Sequence, residues 1–323
     1  MNAERFAEWY RRQGQRVIRT QSSYWVEQGP RVYLAFPFHW VVRPTEEEFK
    51  ELFRKHGALG LRYSTPFDAD HGAMSYHIVF DRKAYTLKDV RSSVRSAVKA
   101  GVTNCMVGPI SFDRYAQEGW ALQVDTQKRQ GRRTALDADH WARLCAAASG
   151  LEGFEVWGAE VKGRLVATVF LCTVDDCVLL LFQQCLAEFL PLRINNALTF
   201  KVTEELVQRP NVGLLHYGLH SLDAPESVDK FKFSMGYTVR PVRQHVVFHP
   251  QVAPLFNSIS HLALKGAHKL LPRSEFLAKS EGMIRFYREG RKPLSRQEVP
   301  GALIRHAKDL GLNPPEHAPD NPS

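Results

Sequence analysis

Apolar residues recur along the first 84 residues with helical and with alternating spacing, and this pattern predicts a small α+β unit. Helical spacing over residues 4–19 predicts a first helix. Thr45 and Glu48 stand at capping-box spacing before a second helix near residues 45–56. Strands are predicted around a Gly-Pro turn at 29–30 and over residues 59–63 and 75–80.

From residue 137 the order of predicted elements is helix, three antiparallel strands, helix, strand, a loop with a short helix, and strand. The longest apolar tract, residues 165–185, carries Asp175 and Asp176 at its centre. Charged residues are costly in a bilayer core, so the tract predicts a β-hairpin and no transmembrane segment. The order is not the repeated βα of a doubly wound fold. The fold class is therefore α+β, with a mixed, largely antiparallel sheet flanked by helices.

Three segments follow from this pattern. Residues 1–84 form the small N-terminal α+β unit, residues 85–250 form the main domain, and residues 251–323 form a basic helical extension with a tail predicted to be disordered. Leu255, Ile259 and Leu262 lie on one face of the extension. We expect this short stripe to pack against the domain, with peripheral membrane contact as the less favoured alternative.

The net charge of the 323-residue chain is +9, which favours a polyanionic ligand such as a nucleotide, a coenzyme phosphate, tRNA or an acidic lipid head group. The basic excess is spread along all three segments, so no nucleic-acid-binding arm is indicated. Four cations are predicted along one face of a helix that begins near Thr86, at spacings of three, four and four residues. The four cations are Lys88, Arg91, Arg95 and Lys99. Such a stripe predicts either a solvated helix face or a contact with phosphate or tRNA.

Five scattered cysteines contain no CxxC pair and no Cys/His set with zinc spacing, so the sequence predicts no metal site. An odd number of unpaired thiols is typical of a reducing compartment. The N-terminal residues are charged throughout and lack a signal-peptide apolar run. We therefore expect a cytoplasmic protein.

Polar side chains gather where the apolar strand 212–219 ends, a place where α/β sheets often bind ligands. Tyr217, His220 and Asp223 lie there, and Gln183 ends an earlier central strand. Arg129 lies in a polar segment before the helix at 137–149, where it could line the acceptor side. These five are the candidate substrate-binding residues. No G-x-S-x-G elbow supports nucleophilic serine chemistry by Ser221.

Residues 85–250 resemble the FemAB-like branch of the GNAT-fold acyltransferases. Three segments carry the resemblance: Asp89–Arg95, Glu155–Ala167 and Phe231–Gly236, the last with the Phe-Lys pair that is followed by a glycine. FemAB-like proteins often carry two GNAT-like units, so residues 1–84 could be a partial second copy.

The resemblance implies a splayed gap between central strands, into which an acyl donor is bound for attack by an amine. It assigns Lys232 as a cation near the developing oxyanion or a donor phosphate, with Phe231 packed beside it. The alternative is a core phenylalanine and a surface lysine.

One departure from the GNAT pattern concerns the donor. Acetyl-CoA-using members place an R/Q-x-x-G-x-G/A loop before the helix that follows the central strand, and residues 189–197 contain no glycine. This favours a non-CoA donor or an inactive site, and the donor is left open between acyl-CoA and aminoacyl-tRNA, with no bound cofactor expected. Arg193, Asn195 and Asn196 could meet a donor phosphate there, although an asparagine N-cap is the alternative. Arg91 and Arg95 are further candidates for phosphate contact.

The sequence thus predicts a transferase that moves an acyl or aminoacyl group onto an amine of a cell-envelope or saccharide precursor. The expected partners are a small-molecule or glycan-type acceptor and, with an aminoacyl donor, tRNA. The alternative is a catalytically inactive GNAT-like protein that binds tRNA or a phosphorylated glycan carrier.

Overall fold

The computed structural model describes residues 2–130, 137–220, 226–271, 274–306 and 310. Its helices are largely capped as their sequences indicate; Ser111 and Asp137, for example, accept hydrogen bonds from the third residues of the helices that they precede. The longer helices in chain order are α1 Ala3–Arg12, α2 Glu46–Lys50 (continued by a π-turn, Glu51–Lys55), α3 Arg95–Asn104, α4 Phe112–Arg129, α5 Ala138–Ala148, α6 Ile194–Gln208, α7 Glu226–Ser234, α8 Ser258–Leu270 and α9 Glu275–Glu289.

The strands of the described residues form one mixed, largely antiparallel sheet in the order β1-β2-β3-β4-β11-β5-β10-β9-β8-β7-β6. This is the α+β class that the sequence predicts. The strands are β1 Val17–Arg19, β2 Tyr24–Gly29, β3 Val32–Phe36, β4 Gly60–Thr65, β5 Ala73–Phe80, β6 Met106–Ile110, β7 Phe154–Val161, β8 Arg164–Val174, β9 Cys177–Cys185, β10 Leu214–Leu219 and β11 Thr238–Phe248.

The sheet curls so far that its N-terminal strands cover one face of its centre. Four strands separate β3 from β9 in the sheet, yet Phe36 of β3 belongs to the same core cluster as Cys177 and Leu179 of β9. The indole of Trp40 also donates to Asp175 at 3.1 Å, in the β8–β9 turn. The inside of this curl is the inner face of the sheet. The outer face is covered by α3, α6 and α7.

The predicted boundary at residue 84 does not separate two sheets. β11 lies between β4 and β5 and pairs antiparallel with both, so a strand from the main domain is inserted into the N-terminal segment. β5 also pairs with β10. Both segments therefore contribute to one continuous hydrogen-bonded sheet.

The predicted stripe of four cations is wrong because the helix does not begin near Thr86. The backbone N–H of Arg91 donates to Ser234 O at 2.9 Å, and Arg91 is extended, with φ −52° and ψ 135°. α3 begins only at Arg95. Lys88 and Arg91 therefore lie outside the helix that carries Lys99.

α4, with 18 residues, is a helix that the sequence pattern did not predict. Its buried side consists largely of polar and small residues, among them Gly119, Gln123 and Thr126, so the apolar contrast of an amphipathic helix is weak. Gly119 is required by packing, because a Cβ there would lie 2.7 Å from the ring of Trp141 on α5.

The apolar stripe of the C-terminal extension does not pack against the domain, contrary to expectation. Leu255, Ile259 and Leu262 are 63%, 80% and 72% exposed. The opposite side of α8 makes the contact, through Leu264 and the buried His261. Within the described part of the chain, no helix is long and apolar enough to cross a bilayer.

Candidate functional site

A gap opens between the central strands β9 and β10. They pair in parallel at only three positions, Leu214 with Cys177, Leu215 with Val178 and His216 with Leu179. Beyond this point β9 continues along β8, and β10 continues along β5. The backbone edges of the two strands are therefore unpaired with each other from Leu180 and Tyr217 onward, which leaves room for a ligand between them.

Lys232 reaches this gap from α7, on the outer face of the sheet. Its ammonium lies 5.2 Å from the ring centroid of Tyr217 and 3.3 Å from Oδ1 of Asp229, one turn earlier in the helix. Both charged side chains are only 13% exposed. Burial lowers the pKa of Lys232, and the neighbouring carboxylate of Asp229 opposes that shift.

Asp229 is fixed from the sheet as well as from α7. The phenol of Tyr76 on β5 donates to Oδ2 of Asp229 at 2.8 Å, while Oδ1 faces Lys232. The carboxylate thus has a separate partner for each oxygen. This arrangement positions the Lys232 ammonium at the gap, where Asp229 is the hydrogen-bond partner that the described residues supply.

A glycine in a conformation that side chains disfavour lies in the bulge of β10 beside Lys232. β10 has a bulge between His216 and Gly218, and Gly218 has φ +133°, a conformation that side chains disfavour. A Cβ on Gly218 would lie 3.5 Å from Lys232 Nζ. The bulge therefore turns Tyr217 toward the lysine and keeps the strand beside it free of a side chain.

A second group of hydrogen bonds ties β10, β9 and α6 together at the gap. The phenol of Tyr217 donates to Oε1 of Gln183 on β9, and Thr199 Oγ1 lies 3.4 Å from the same phenol. The amide of Gln183 donates to Asn195 at 3.4 Å and to Thr199 at 3.2 Å. Burial raises the pKa of Tyr217 to about 12, so the phenol stays protonated at neutral pH.

The inner face of the sheet has a cavity of about 350 Å³ beside the same gap. Its walls come from β3, β4, β9, β10 and α9, which are brought together by the curl of the sheet. Apolar side chains dominate the wall, and four basic residues interrupt it. The apolar set includes Val32, Leu34, Phe38, Leu179, Leu181 and Met283, and the basic set is Arg62, His216, His220 and Lys279.

A chain of buried polar groups lies behind this cavity. The guanidinium of Arg62 donates to Gln244 Oε1 at 2.8 Å, and Gln244 donates to Ser64 Oγ at 2.6 Å. Ser64 Oγ is also 2.8 Å from His77 Nε2, and the rings of His77 and His216 meet edge to face at 4.9 Å. Burial lowers the pKa of His77 to about 3 and that of His216 far below its usual range. Both imidazoles are therefore neutral at pH 7.

His220 lies where the outer site and the inner cavity meet. Its ring stacks on Tyr76 with centroids 4.5 Å apart, and it also lines the inner cavity. Its Nδ1 has no hydrogen-bond partner among the residues that the structure describes. Burial lowers its pKa to about 4, so His220 is a neutral hydrogen-bonding group.

The structure brings several predicted site residues together. Asn195 joins the gap through Gln183, and Asn196 contacts Met235 Sδ just after α7, at 3.6 Å. Neither asparagine caps α6: the N-cap position is Arg193, in the left-handed conformation with φ 63° and without a side-chain cap. Phe231 packs, partly buried, against the outer-face core. The surface-lysine alternative for Lys232 is excluded by its burial.

The other described candidates are arginines that support the local backbone or lie on the surface. Arg95 donates to the carbonyls of Val90 and Lys88, both at 3.0 Å, and so supports the local backbone. Arg91 and Arg193 are exposed. Arg129 ends α4 and is exposed. Asp223 and Ser221 lie outside the described residues.

Sequence reasoning missed Tyr76 and the role of Asp229. Tyr76 stands in a strand that is buried throughout and is 153 residues from its hydrogen-bond partner, so no local pattern marks it. The Asp229–Lys232 spacing of three on a predicted helix was the one signal for an ion pair.

Comparison with known proteins gives structural matches at low sequence identity. No protein-family model and no curated protein match the chain. The crystal structure of FemX matches with a TM-score of 0.57 and 10% identity, over 79% of this chain and 93% of FemX. The C-terminal domain (DUF2156) of a lysylphosphatidylglycerol synthetase from Agrobacterium fabrum matches with a TM-score of 0.53 and 14% identity, over 78% and 89% of the two chains.

The chain has the fold of FemX. A further match, L-PGS from Bacillus licheniformis, has a TM-score of 0.50 and 9% identity over 75% of this chain and 86% of that one. Each of these alignments covers about three quarters of the chain. The pairing of β9 with β10 at only three positions agrees with the splayed central strands that the resemblance in residues 85–250 implies.

Proposed function

We propose that this protein is an acyl- or aminoacyltransferase that transfers the acyl group of an activated donor to an amine of a cell-envelope or saccharide precursor. The observation that carries the proposal is the buried Lys232 ammonium, held by Asp229 beside the gap between β9 and β10. A buried ion pair at the opening of a central sheet has little structural purpose there, because it is costly to desolvate. It suits a site where negative charge develops.

In the proposed reaction the donor carbonyl enters the gap with its oxygen toward Lys232. The amine nitrogen of the acceptor attacks the carbonyl carbon, a new C–N bond forms, and the carbonyl oxygen becomes an oxyanion. Lys232 stabilises that oxyanion as a hydrogen-bond donor. The bond to the leaving oxygen or sulfur of the donor then breaks, and the amine proton passes to the leaving group through solvent.

The inner cavity is the proposed acceptor site. Its apolar walls exclude water, and neutral His220 lies between it and the Asp229–Tyr76 pair. Nδ1 of His220 can accept a hydrogen bond from the attacking N–H. Arg62 and Lys279 add positive charge to the same cavity, which favours an acceptor with an anionic group.

The donor is proposed to approach from the outer face, where α6 begins. Arg193 lies there on the surface, and the first turn of α6 lacks a side-chain cap. Backbone N–H groups and the helix dipole favour a phosphate at such a place. Both remaining donor classes, acyl-CoA and aminoacyl-tRNA, carry one.

A direct test compares two lysines of α7. The purified protein is incubated with bulk tRNA charged with radiolabelled amino acids or with radiolabelled acetyl-CoA, together with a panel of amino sugars and lysine-containing peptides. We expect acceptor labelling by the wild type, and a loss of about 10²- to 10³-fold in Lys232→Met, the usual effect of removing an oxyanion-stabilising donor. Lys230→Met, at an exposed position two residues away, is the matched control.

Full activity in a folded Lys232→Met variant would remove the lysine from the mechanism. Absence of transfer by the wild type, combined with salt-dependent tRNA binding, would instead identify a binding protein.

A further inference from the structure

The exposed face of α8 is apolar on the side that points away from the protein. Ile259, Leu262, Gly266 and Leu270 follow one another at helical spacings of three, four and four residues, which aligns them on one face. Ile259 is 80% and Leu270 83% exposed. An amphipathic helix of a globular domain normally buries such a face, so this one lacks a partner within the described chain.

The other side of α8 is already occupied. His261 Nε2 lies 2.8 Å from Glu281 Oε1 on α9, and Arg288 NH1 lies 2.7 Å from His261 Nδ1. Leu264 packs into the core cluster that α9 shares with β11. These contacts fix the orientation of α8, so the apolar face cannot be turned inward by rotating the helix.

The exposed apolar surface continues to the end of the α8–α9 hairpin. Leu271 follows α8 and is 62% exposed, and Phe276 in the first turn of α9 is 67% exposed. With the face of α8, they define the hairpin surface, made of Ile259, Leu262, Leu270, Leu271 and Phe276.

The sequence that contains the hairpin surface is basic, which favours an anionic partner. Residues 251–280 contain four lysines and arginines and a single carboxylate, Glu275. Lys265 is exposed on α8. A second copy of this chain would bring the same cations together, which opposes self-association through this face.

We propose that the hairpin surface binds the face of an anionic lipid bilayer. An apolar helical face bordered by a cation, here Lys265, is the pattern of an interfacial helix, whose apolar side enters the head-group region while its cations meet lipid phosphates. The chain would lie on the membrane and would not span it.

The position of α9 links this surface to the candidate site. Phe276 lies on the hairpin surface, and Lys279 and Met283, one and two turns further along α9, line the inner cavity. Binding at the hairpin would therefore hold the cavity close to the lipid head groups. In that respect the inference rests on the proposed function, because it places the acceptor at a membrane surface.

Vesicle flotation tests the proposal with the full chain. We expect the wild type to float with vesicles of equal parts phosphatidylglycerol and phosphatidylcholine, to bind pure phosphatidylcholine more weakly, and to lose affinity as NaCl is raised. Ile259→Asp and Leu262→Gln should each weaken binding about tenfold or more, since each removes apolar surface from the interface. Lys265→Glu should weaken binding to the anionic vesicles alone.

Met106→Asp is the matched control, because Met106 is an isolated side chain on the edge strand β6 with the same 80% exposure as Ile259. Circular dichroism and thermal unfolding should show all variants folded, since every changed side chain is exposed.

The proposal is overturned if the wild type does not float with anionic vesicles, or if Met106→Asp loses as much binding as Ile259→Asp. Light scattering that shows a dimer abolished by Ile259→Asp, without vesicle binding, would assign the surface to a second copy. Vesicle binding is measured without any donor or acceptor. Vesicle binding can therefore be observed even if the transfer assay fails, and it can be absent even if transfer is observed.

Discussion

The two sides of the gap between β9 and β10 differ in how their polar groups are used. On the outer face, Asp229 holds the Lys232 ammonium beside the gap, and Tyr217 holds the amide of Gln183 there. On the inner face, a largely apolar cavity is backed by histidines that burial keeps neutral. The structure therefore has a buried charged pair on one side of the gap and a largely apolar cavity on the other, and the proposed transfer would use both.

After Lys232→Met, the largest effect on the outer side is expected from Asp229→Asn. Removing the carboxylate leaves Lys232 buried beside a neutral amide, so its pKa falls further and less of it is cationic at pH 7. We expect kcat to fall by about one to two orders of magnitude. Tyr76→Phe removes one hydrogen bond from the same carboxylate and should have a smaller effect. Equal losses of kcat in the two variants would contradict the claim that the Asp229 carboxylate matters more than its hydrogen bond from Tyr76.

Filling the inner cavity should affect the acceptor alone. Leu34→Trp places a larger side chain at the cavity wall, and we expect KM for the acceptor to rise about tenfold or more, with little change in donor KM. Steady-state kinetics with each substrate varied in turn measures this. A rise in donor KM instead would show that the donor, and not the acceptor, binds in the inner cavity.

Many elements and several site residues on the two sides of the gap could be predicted from local sequence. The curl of the sheet, which brings the two sides together, could not. Asp175 and Asp176 predicted the turn of the β8–β9 hairpin, and the family resemblance of the Phe231–Gly236 segment predicted a role for Lys232. The curl of the sheet depends on contacts between distant segments: Gln244 meets Ser64 across 180 positions and Tyr76 meets Asp229 across 153. Hydrophobic periodicity is read within a short stretch of sequence, so it cannot predict contacts between residues this far apart. α4 was missed because its buried side is partly polar.

Acid should destabilise the fold through its buried histidines. The folded-state pKa values of His39, His220 and His245 are lowered to about 4 and that of His77 to about 3, from 6.5. A lowered folded pKa means that the unfolded chain binds protons more readily. The stability from neutral histidines is therefore complete above about pH 6.5 and is lost as pH falls toward 4. Thermal unfolding should show Tm falling over this range, and a His77→Gln variant should show a shallower fall.

The smallest effect is expected from Tyr217→Phe. The variant keeps the ring beside Lys232 but loses the hydrogen bond to Gln183, so we expect about 1 kcal/mol less stability and a modest change in kcat. Denaturant unfolding measures the first quantity. A loss of activity as large as that of Lys232→Met would mean that the phenol, and not the ammonium, acts on the donor.

The pH dependence of single-turnover transfer tests the role of the Lys232 cation most directly. Because burial lowers the pKa of Lys232 below 10.5, the wild-type rate should decline on the alkaline side before a free lysine would lose its proton. Lys232→Arg, which stays charged, should react more slowly because its geometry differs, but should lack that decline. An alkaline decline that is unchanged in Lys232→Arg would contradict the claim that the Lys232 ammonium stabilises the oxyanion.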